Sequence, residues 1–208
     1  MSFAVRTEDR AWGFRATRGV PAASTLKAML LVAYLRRPDI RRRALRRADR
    51  ALLAPMIRRS DNVAATRVRD IVTTRGVARF ARRAGMKRFH PHPVWGLSRV
   101  DAADLATFML DVDRLTPRRH RRYAMRLLGS VVSSQRWGIA RAKPPGWKLY
   151  FKGGWGSGTG AVDHQVALLT RGEERVAVAI TTTGNGSHAA GKRTLRGVAR
   201  RLLRGLAR

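Results

Sequence analysis

The hydrophobic period changes from helical to strand-like near Trp147, and that change restricts the fold more than any other feature. From about residue 21 to about residue 144 apolar residues recur at helical spacing. From about Trp147 they form short β-rich runs, HQVALLTR and ERVAVAITTTG, around the turn Gly172-Glu173. Phe3-Ala4-Val5-Arg6 and Trp12-Gly13-Phe14-Arg15-Ala16 read as an earlier hairpin across the turn TEDR. Thr194 to Leu206 reads as a helix with Leu195, Val198, Ala199, Leu202 and Leu206 on one face, expected to cover the strands before it and not to lie on a membrane. The expected class is α/β (α+β): a single domain, 1–208, in two lobes. An antiparallel sheet lobe comes from 1–20 and 145–208, flanked by helices, and an all-helical lobe from 21–144. A chain of 208 residues suits one such domain.

Within the helical part, Val20-Pro21-Ala22-Ala23-Ser24-Thr25-Leu26-Lys27 opens the most apolar run, which continues as AMLLVAYLRR. Proline is tolerated where a helix begins, because the N–H it lacks would be unpaired there. Ser24 is therefore expected near the start of a buried helix that reaches about Arg37 and breaks at Pro38-Asp39. Residues 39–54 read as one helix with a basic face and Ile40, Ala44, Leu45, Ala48, Leu52 and Leu53 on its apolar stripe. Ser60-Asp61-Asn62 precedes the helical run VAATRVRDIVTTRG and reads as an N-cap. Gly76 and Gly85 are expected to bound a short helix, VARFARRA. FHPHPVWGL, 89–97, is a proline-interrupted loop. Helices AADLATFMLDVDRL, capped by Ser98-Arg99-Val100-Asp101, and PRRHRRYAMRLLGSVV follow. Lys148 to Lys152 reads as a strand and Gly153 to Gly160 as a tight loop.

Composition removes several classes of function. There is no cysteine, so disulfides and thiolate metal sites are excluded. His90 and His92 have no Cys, Asp or Glu close by in sequence to complete a metal site, and neither a metal nor another cofactor is expected. No stretch approaches the ~20 apolar residues of a membrane span. The N-terminus, Met1-Ser2-Phe3-Ala4-Val5-Arg6, reads straight into a strand and not as a signal peptide. The 44 Lys and Arg against 13 Asp and Glu give a net charge of +31. Such a surface attracts anionic polymers, although arginines scattered through the whole chain also suit a genome biased toward arginine codons.

Three short pieces carry chemistry: Ser24-Thr25-Leu26-Lys27, then Ser60-Asp61-Asn62, then Lys152-Gly153-Gly154. A serine hydroxyl needs a base, and a lysine one helical turn away supplies one if its pKa is lowered. A helix N-terminus adds N–H groups suited to an oxyanion. In this order, with the first opening a helix and the third ending a strand, the pieces resemble the penicillin-recognising serine hydrolases, and most closely the class A β-lactamase-like family. SRVDAADLATFML and RWGIARAKPPGWKLYFKGGWG are also similar to that family, so the resemblance spans nearly the whole chain.

The resemblance implies a hydrolase that cleaves a β-lactam or peptide-like amide through an acyl-enzyme. Ser24 would be the nucleophile and Lys27 its base. Ser60 would pass the proton to the leaving nitrogen, helped by Lys152. Asn62 would hold the substrate's side-chain amide, and Asp61 would keep the turn in shape. The N–H groups of Ser24 and Trp155, beside Gly154, would form the oxyanion hole. Lys152, with Ser157 or Thr159, would face the substrate carboxylate.

Three departures from the family accompany these matches. Between Glu8 and Glu173 there is no glutamate, so the family's deacylating base has no counterpart in 89–97. Gly153 stands where the family carries Thr or Ser. The family's first helix and export signal are missing, which suggests either a cytoplasmic protein or an exported one truncated at its N-terminus. The alternatives are a penicillin-binding D,D-peptidase or esterase with poor lactamase turnover, and a non-catalytic binder of anionic polymers.

Overall fold

The computed structural model describes residues 1–156, 158 and 160–207. Its main sheet is antiparallel, in the order β2-β1-β7-β6-β5. The strands are β1 (Ser2–Arg6), β2 (Ala11–Phe14), β5 (Lys148–Gly156), β6 (Val162–Arg171) and β7 (Glu174–Thr182). The first hairpin thus joins the three late strands through β1 and β7, with Phe3 opposite Ile180 and Val5 opposite Val178. The alternation of side chains explains the two cores. One face of β6 and β7 sends Val166, Leu168, Ala177 and Ala179 into the helical core. The other sends Ala167, Leu169, Val178 and Ile180 beneath the C-terminal helix. A second, small sheet pairs β3 (Val20–Pro21) with β4 (Arg99–Val100) and ties the chain just before Ser24 to the helix that follows the 89–97 loop.

At the centre of the helical core lies α1 (Leu26–Leu35), buried at every position. Around it and the sheet stand α2 (Pro38–Arg41), α3 (Arg47–Arg58), α4 (Asn62–Val72), α5 (Thr74–Arg83), α6 (Ala102–Leu110), α7 (Val112–Leu115), α8 (Arg118–Gly129), α9 (Ile139–Ala142) and α10 (His188–Leu202). The fold class read from the sequence is the one observed. Among the described residues, no helix is long and apolar enough to cross a membrane.

Several boundaries differ from the sequence reading, each for a local reason. The helix expected over 39–54 is two helices, α2 and α3. Asp49 is buried and draws the intervening chain around itself: it accepts from the Arg46 amide at 2.6 Å, from Arg43 Nη1 at 2.7 Å and from the Tyr34 hydroxyl at 2.6 Å. These bonds cap α3 and leave Ala44 and Ala48 exposed, off the expected stripe. Helix α3 also runs through Pro55 to Arg58. The run VAATRVRDIVTTRG ends at Val72, not at Gly76, because Thr73 adopts a φ of 66°. Thr73 Oγ1 then accepts from the Gly76 amide at 3.1 Å and starts α5, which contains Gly76.

The helix expected through Leu115 divides at Asp111 into α6 and α7. The glycine-rich loop expected from Gly153 is strand as far as Gly156, since each residue from Lys148 to Gly156 pairs with β6. The last helix begins at His188, six residues earlier than Thr194, where Ser187 Oγ accepts from the Ala190 amide at 3.1 Å. It ends at Leu202, and a 3₁₀ turn over Arg204–Ala207 follows.

Candidate active site

Ser24 lies in a 3₁₀ turn, Ala23–Thr25, that leads directly into α1. The turn is fixed from several sides. Thr25 Oγ1 donates to the Ala22 carbonyl at 2.6 Å, and the Ala22 amide donates to the Ser98 carbonyl at 2.7 Å. Buried His164, on β6, places Nε2 3.0 Å from the Pro21 carbonyl. Burial pushes that imidazole down to about 4, so it is neutral at ordinary pH and bonds to the carbonyl as an N–H donor. Ala23, next to Ser24, has a φ of 45°, a left-handed conformation unfavourable for a residue with a side chain.

Lys27, in the first turn of α1, is fully buried. Its amine donates to the Ser60 carbonyl, to Ser60 Oγ at 3.1 Å and to Asn62 Oδ1 at 2.7 Å. Burial lowers its pKa to about 7, against the smaller opposing pull of the Asp61 carboxylate. Lys152, on β5, is also fully buried and donates to Ser60 Oγ at 3.0 Å and to the Gly153 carbonyl at 2.7 Å. Burial, and then the nearby charge of Lys27, push its amine well below the usual lysine range. One hydroxyl, that of Ser60, therefore stands between two buried amines, both with lowered pKa values.

The local chain explains how Ser60 reaches that position. It sits between α3 and α4 with a φ of 60°, so the backbone turns sharply and both its carbonyl and its hydroxyl face Lys27. Asp61 caps α4 by accepting from the Ala64 amide at 2.7 Å, and this places Asn62 in the first helical turn. On the opposite side of the site, β5 passes directly against the Ser24 turn. A Cβ on Gly154 would lie 2.8 Å from both the Ser24 and Thr25 nitrogens, so only glycine permits the approach.

The structure thus brings Lys27, Ser60, Asn62 and Lys152 together, with Gly154 against the backbone of Ser24. It does not join Ser24 Oγ to Lys27: Ser24 Oγ has no hydrogen bond to any described residue, and the Lys27 amine turns toward Ser60 and Asn62. Ser157 and Thr159 lie outside the described residues. Among the described residues, no group of three His, Cys, Asp or Glu side chains could hold a metal ion.

Two surrounding features escaped the sequence reading. Trp95, from the 89–97 loop, lies with its ring 4.8 Å from Lys27 Nζ and is held by a bond from its Nε1 to Thr66 Oγ1 at 3.1 Å. Its position in the loop gave no periodic signal. Trp155 is braced by Trp137 and His188, with ring centroids 5.7 Å away in each case. His188 is itself tied to buried Asp163 at 2.5 Å. Those residues are 18 to 33 positions from Trp155 along the chain, and only the sheet and α10 bring the His188 side to it.

Comparison with known proteins places this geometry. The chain is similar to the beta-lactamase from Sphaerobacter thermophilus DSM 20745, with a TM-score of 0.82 at 20% identity over 98% of this chain and 90% of that one. It is similar to the chromosome-encoded beta-lactamase of Vibrio parahaemolyticus, with a TM-score of 0.82 at 17% identity over 99% and 92%. A variant of PBP-A, described as an acyl-enzyme complex with penicillin G, matches with a TM-score of 0.81 at 17% identity over 99% and 89%. No curated protein sequence matches. At these identities the structures establish the fold alone. The family model described as "Beta-lactamase enzyme family" matches residues 48–206, a span that holds Ser60, Asn62 and Lys152 and begins after Ser24 and Lys27. With that span covering most of the sequence, and the fold agreeing from end to end, this chain belongs to the beta-lactamase enzyme family.

Proposed function

We propose that the protein is a serine hydrolase that opens a β-lactam or related amide through an acyl-enzyme at Ser24. The observation that carries this reading is the Ser60 hydroxyl, 3.1 Å from Lys27 Nζ and 3.0 Å from Lys152 Nζ. In the proposed reaction neutral Lys27 takes the Ser24 proton as Oγ attacks the carbonyl carbon. This requires the Lys27 amine to turn from Ser60 toward Ser24, one helical turn away on the same face, when substrate enters; catalytic hydrogen bonds commonly tighten only in the complex. The oxyanion accepts from the amides of Ser24 and Trp155, which Gly154 allows to approach each other. The C–N bond then breaks. The leaving nitrogen receives a proton from Ser60 Oγ, which is resupplied by Lys27 or Lys152. Asn62 offers its side-chain amide to the substrate, and Lys152 offers positive charge to a carboxylate on it. The PBP-A variant described as an acyl-enzyme with penicillin G supports this class of substrate.

A second reading, an acylating peptidase or esterase with slow lactam turnover, is favoured by the 89–97 loop. FHPHPVWGL contains no carboxylate, and its His90 and His92 are exposed, with His92 Nδ1 accepting from the Val94 amide at 3.0 Å. A general base typically accelerates such a step by ~10²–10⁴-fold. Mass spectrometry after incubation with a penicillin tests the first step: an adduct of the penicillin's mass should appear on Ser24 and vanish in Ser24→Ala. No adduct with any β-lactam or activated ester would remove the enzyme reading. Stopped-flow hydrolysis of a chromogenic cephalosporin separates the two forms. A stoichiometric burst followed by slow turnover supports the second, and fast turnover without a burst supports the first.

A further inference from the structure

Away from the serine site, a cleft lies where the C-terminal end of α1 and α2 meet α5. Its volume is about 780 Å³, within the usual range for a small-molecule site. Arg36, Arg37, Arg41, Arg79 and Arg83 line it, with Asp39 as its one acid. This leaves a formal excess of four positive charges around one depression.

Two of the five arginines are committed to the protein. Arg36 Nη1 donates to the Leu115 carbonyl at 2.5 Å, while Arg37 pairs with Asp39 at 3.0 Å and donates to the Ile71 carbonyl. The side chains of the other three, Arg41, Arg79 and Arg83, make no hydrogen bond or ion pair to any described residue. Arg79 and Arg83 stand four residues apart, on one face of α5. Between them and α1 the floor is apolar, formed by Ala33, Val72 and Phe80. Gly76, on the same face of α5, adds no side chain to fill it.

The charges also oppose one another. Burial and then the fields of Arg83 and Arg41 lower the pKa of Arg36. A multivalent anion seated in the cleft would relieve that repulsion. Guanidinium groups bind phosphate through two parallel N–H···O bonds, and three unpaired forks suit more than one phosphate. The apolar floor suits a body that is not itself charged.

From this geometry we infer a second binding site, separate from the serine site, for a ligand that carries two phosphate groups on a planar or apolar body. Two sources share that chemistry: a soluble nucleoside diphosphate and a diphosphate lipid headgroup.

The test uses the full chain with two probes, ADP by isothermal titration calorimetry and vesicles of equal parts phosphatidylcholine and cardiolipin by co-sedimentation. Arg79→Glu with Arg83→Glu should weaken binding by roughly tenfold or more, because hydrogen bonds to charged groups are lost and repulsion replaces them. Arg196→Glu with Arg200→Glu, the same spacing on exposed α10, should leave it unchanged. Binding confined to ADP assigns the soluble source, and binding confined to vesicles assigns the lipid. Binding in neither arm overturns the inference. So does equal loss in both charge-reversed proteins, since bulk charge would then account for it. If the first double variant fails to fold, Arg79→Gln with Arg83→Gln carries the same comparison.

Discussion

At the scale of single residues, the proposed chemistry depends on Lys27 giving up a proton near neutrality. Its pKa of about 7 follows from burial, which disfavours the charged amine. A base works in its neutral form, so acylation by a penicillin should rise as pH increases through about 7 and fall below it. Pseudo-first-order acylation rates measured by mass spectrometry across that range check this; a flat profile would remove Lys27 as the base. Gly154 makes a second demand. A methyl group there would meet the Ser24 and Thr25 nitrogens at 2.8 Å, and neither backbone atom can move away cheaply. Gly154→Ala should therefore lower the acylation rate by about 10²–10³, the usual loss when an oxyanion donor is displaced, and it should do so in protein whose far-UV circular dichroism is unchanged.

At the scale of elements, α10 is docked through a glycine. A Cβ on Gly191 would fall 1.9 Å from Asp163 Oδ2 and 2.6 Å from Asn185 Nδ2. Asp163 cannot swing aside freely, because Asn185 and His188 hold it at 2.9 Å and 2.5 Å. Alanine is the better helix former by about 1 kcal/mol, but overpacking a buried contact costs about 1–3 kcal/mol. Gly191→Ala should thus lower the melting temperature by several degrees in a thermal scan, and a rise would contradict the packing described.

The same scale shows what could be read from sequence. The buried helix after Ser24, both hairpins and the covering of the sheet by a C-terminal helix were legible, because period and turn residues depend on neighbours only. The break at Thr73 was not. A β-branched residue in a left-handed conformation runs against its own preference, and Gly76 nearby looked the better breaker. Likewise Asp49 divides 39–54 through bonds to Tyr34 and Arg43, partners that pattern does not reveal. At the candidate site, the three short motifs were legible as residue types in order. Two things were not: that Lys27 faces Ser60 and Asn62 and not Ser24, and that Trp95 covers its amine. Both depend on the path of the chain at Ser60 and in the 89–97 loop.

For the whole molecule, net charge dominates. At +31, the charges of the chain repel one another on balance, and the compact state brings them closer than the unfolded chain does. Salt shortens the reach of that repulsion to about 10 Å at 0.1 M. The melting temperature should therefore rise by on the order of a few degrees between low salt and physiological salt, followed by differential scanning calorimetry. A fall with salt would mean that the ion pairs, such as Arg175 with Asp113 at 2.6 Å, outweigh the repulsion.

The position of Ser60 between two amines has a consequence for which way the reaction can run. A chain of groups that delivers a proton to a departing nitrogen must, by microscopic reversibility, also accept one from an arriving nitrogen. Under the proposed reading, an acyl group parked on Ser24 meets machinery already suited to an amine, while the 89–97 loop holds no carboxylate to prepare a water molecule. The intermediate would then have two fates in competition, and the concentration of acceptor amine, not the enzyme alone, would set the product ratio. Under that reading the same groups serve amide formation as well as amide cleavage, and what diffuses in next decides between them.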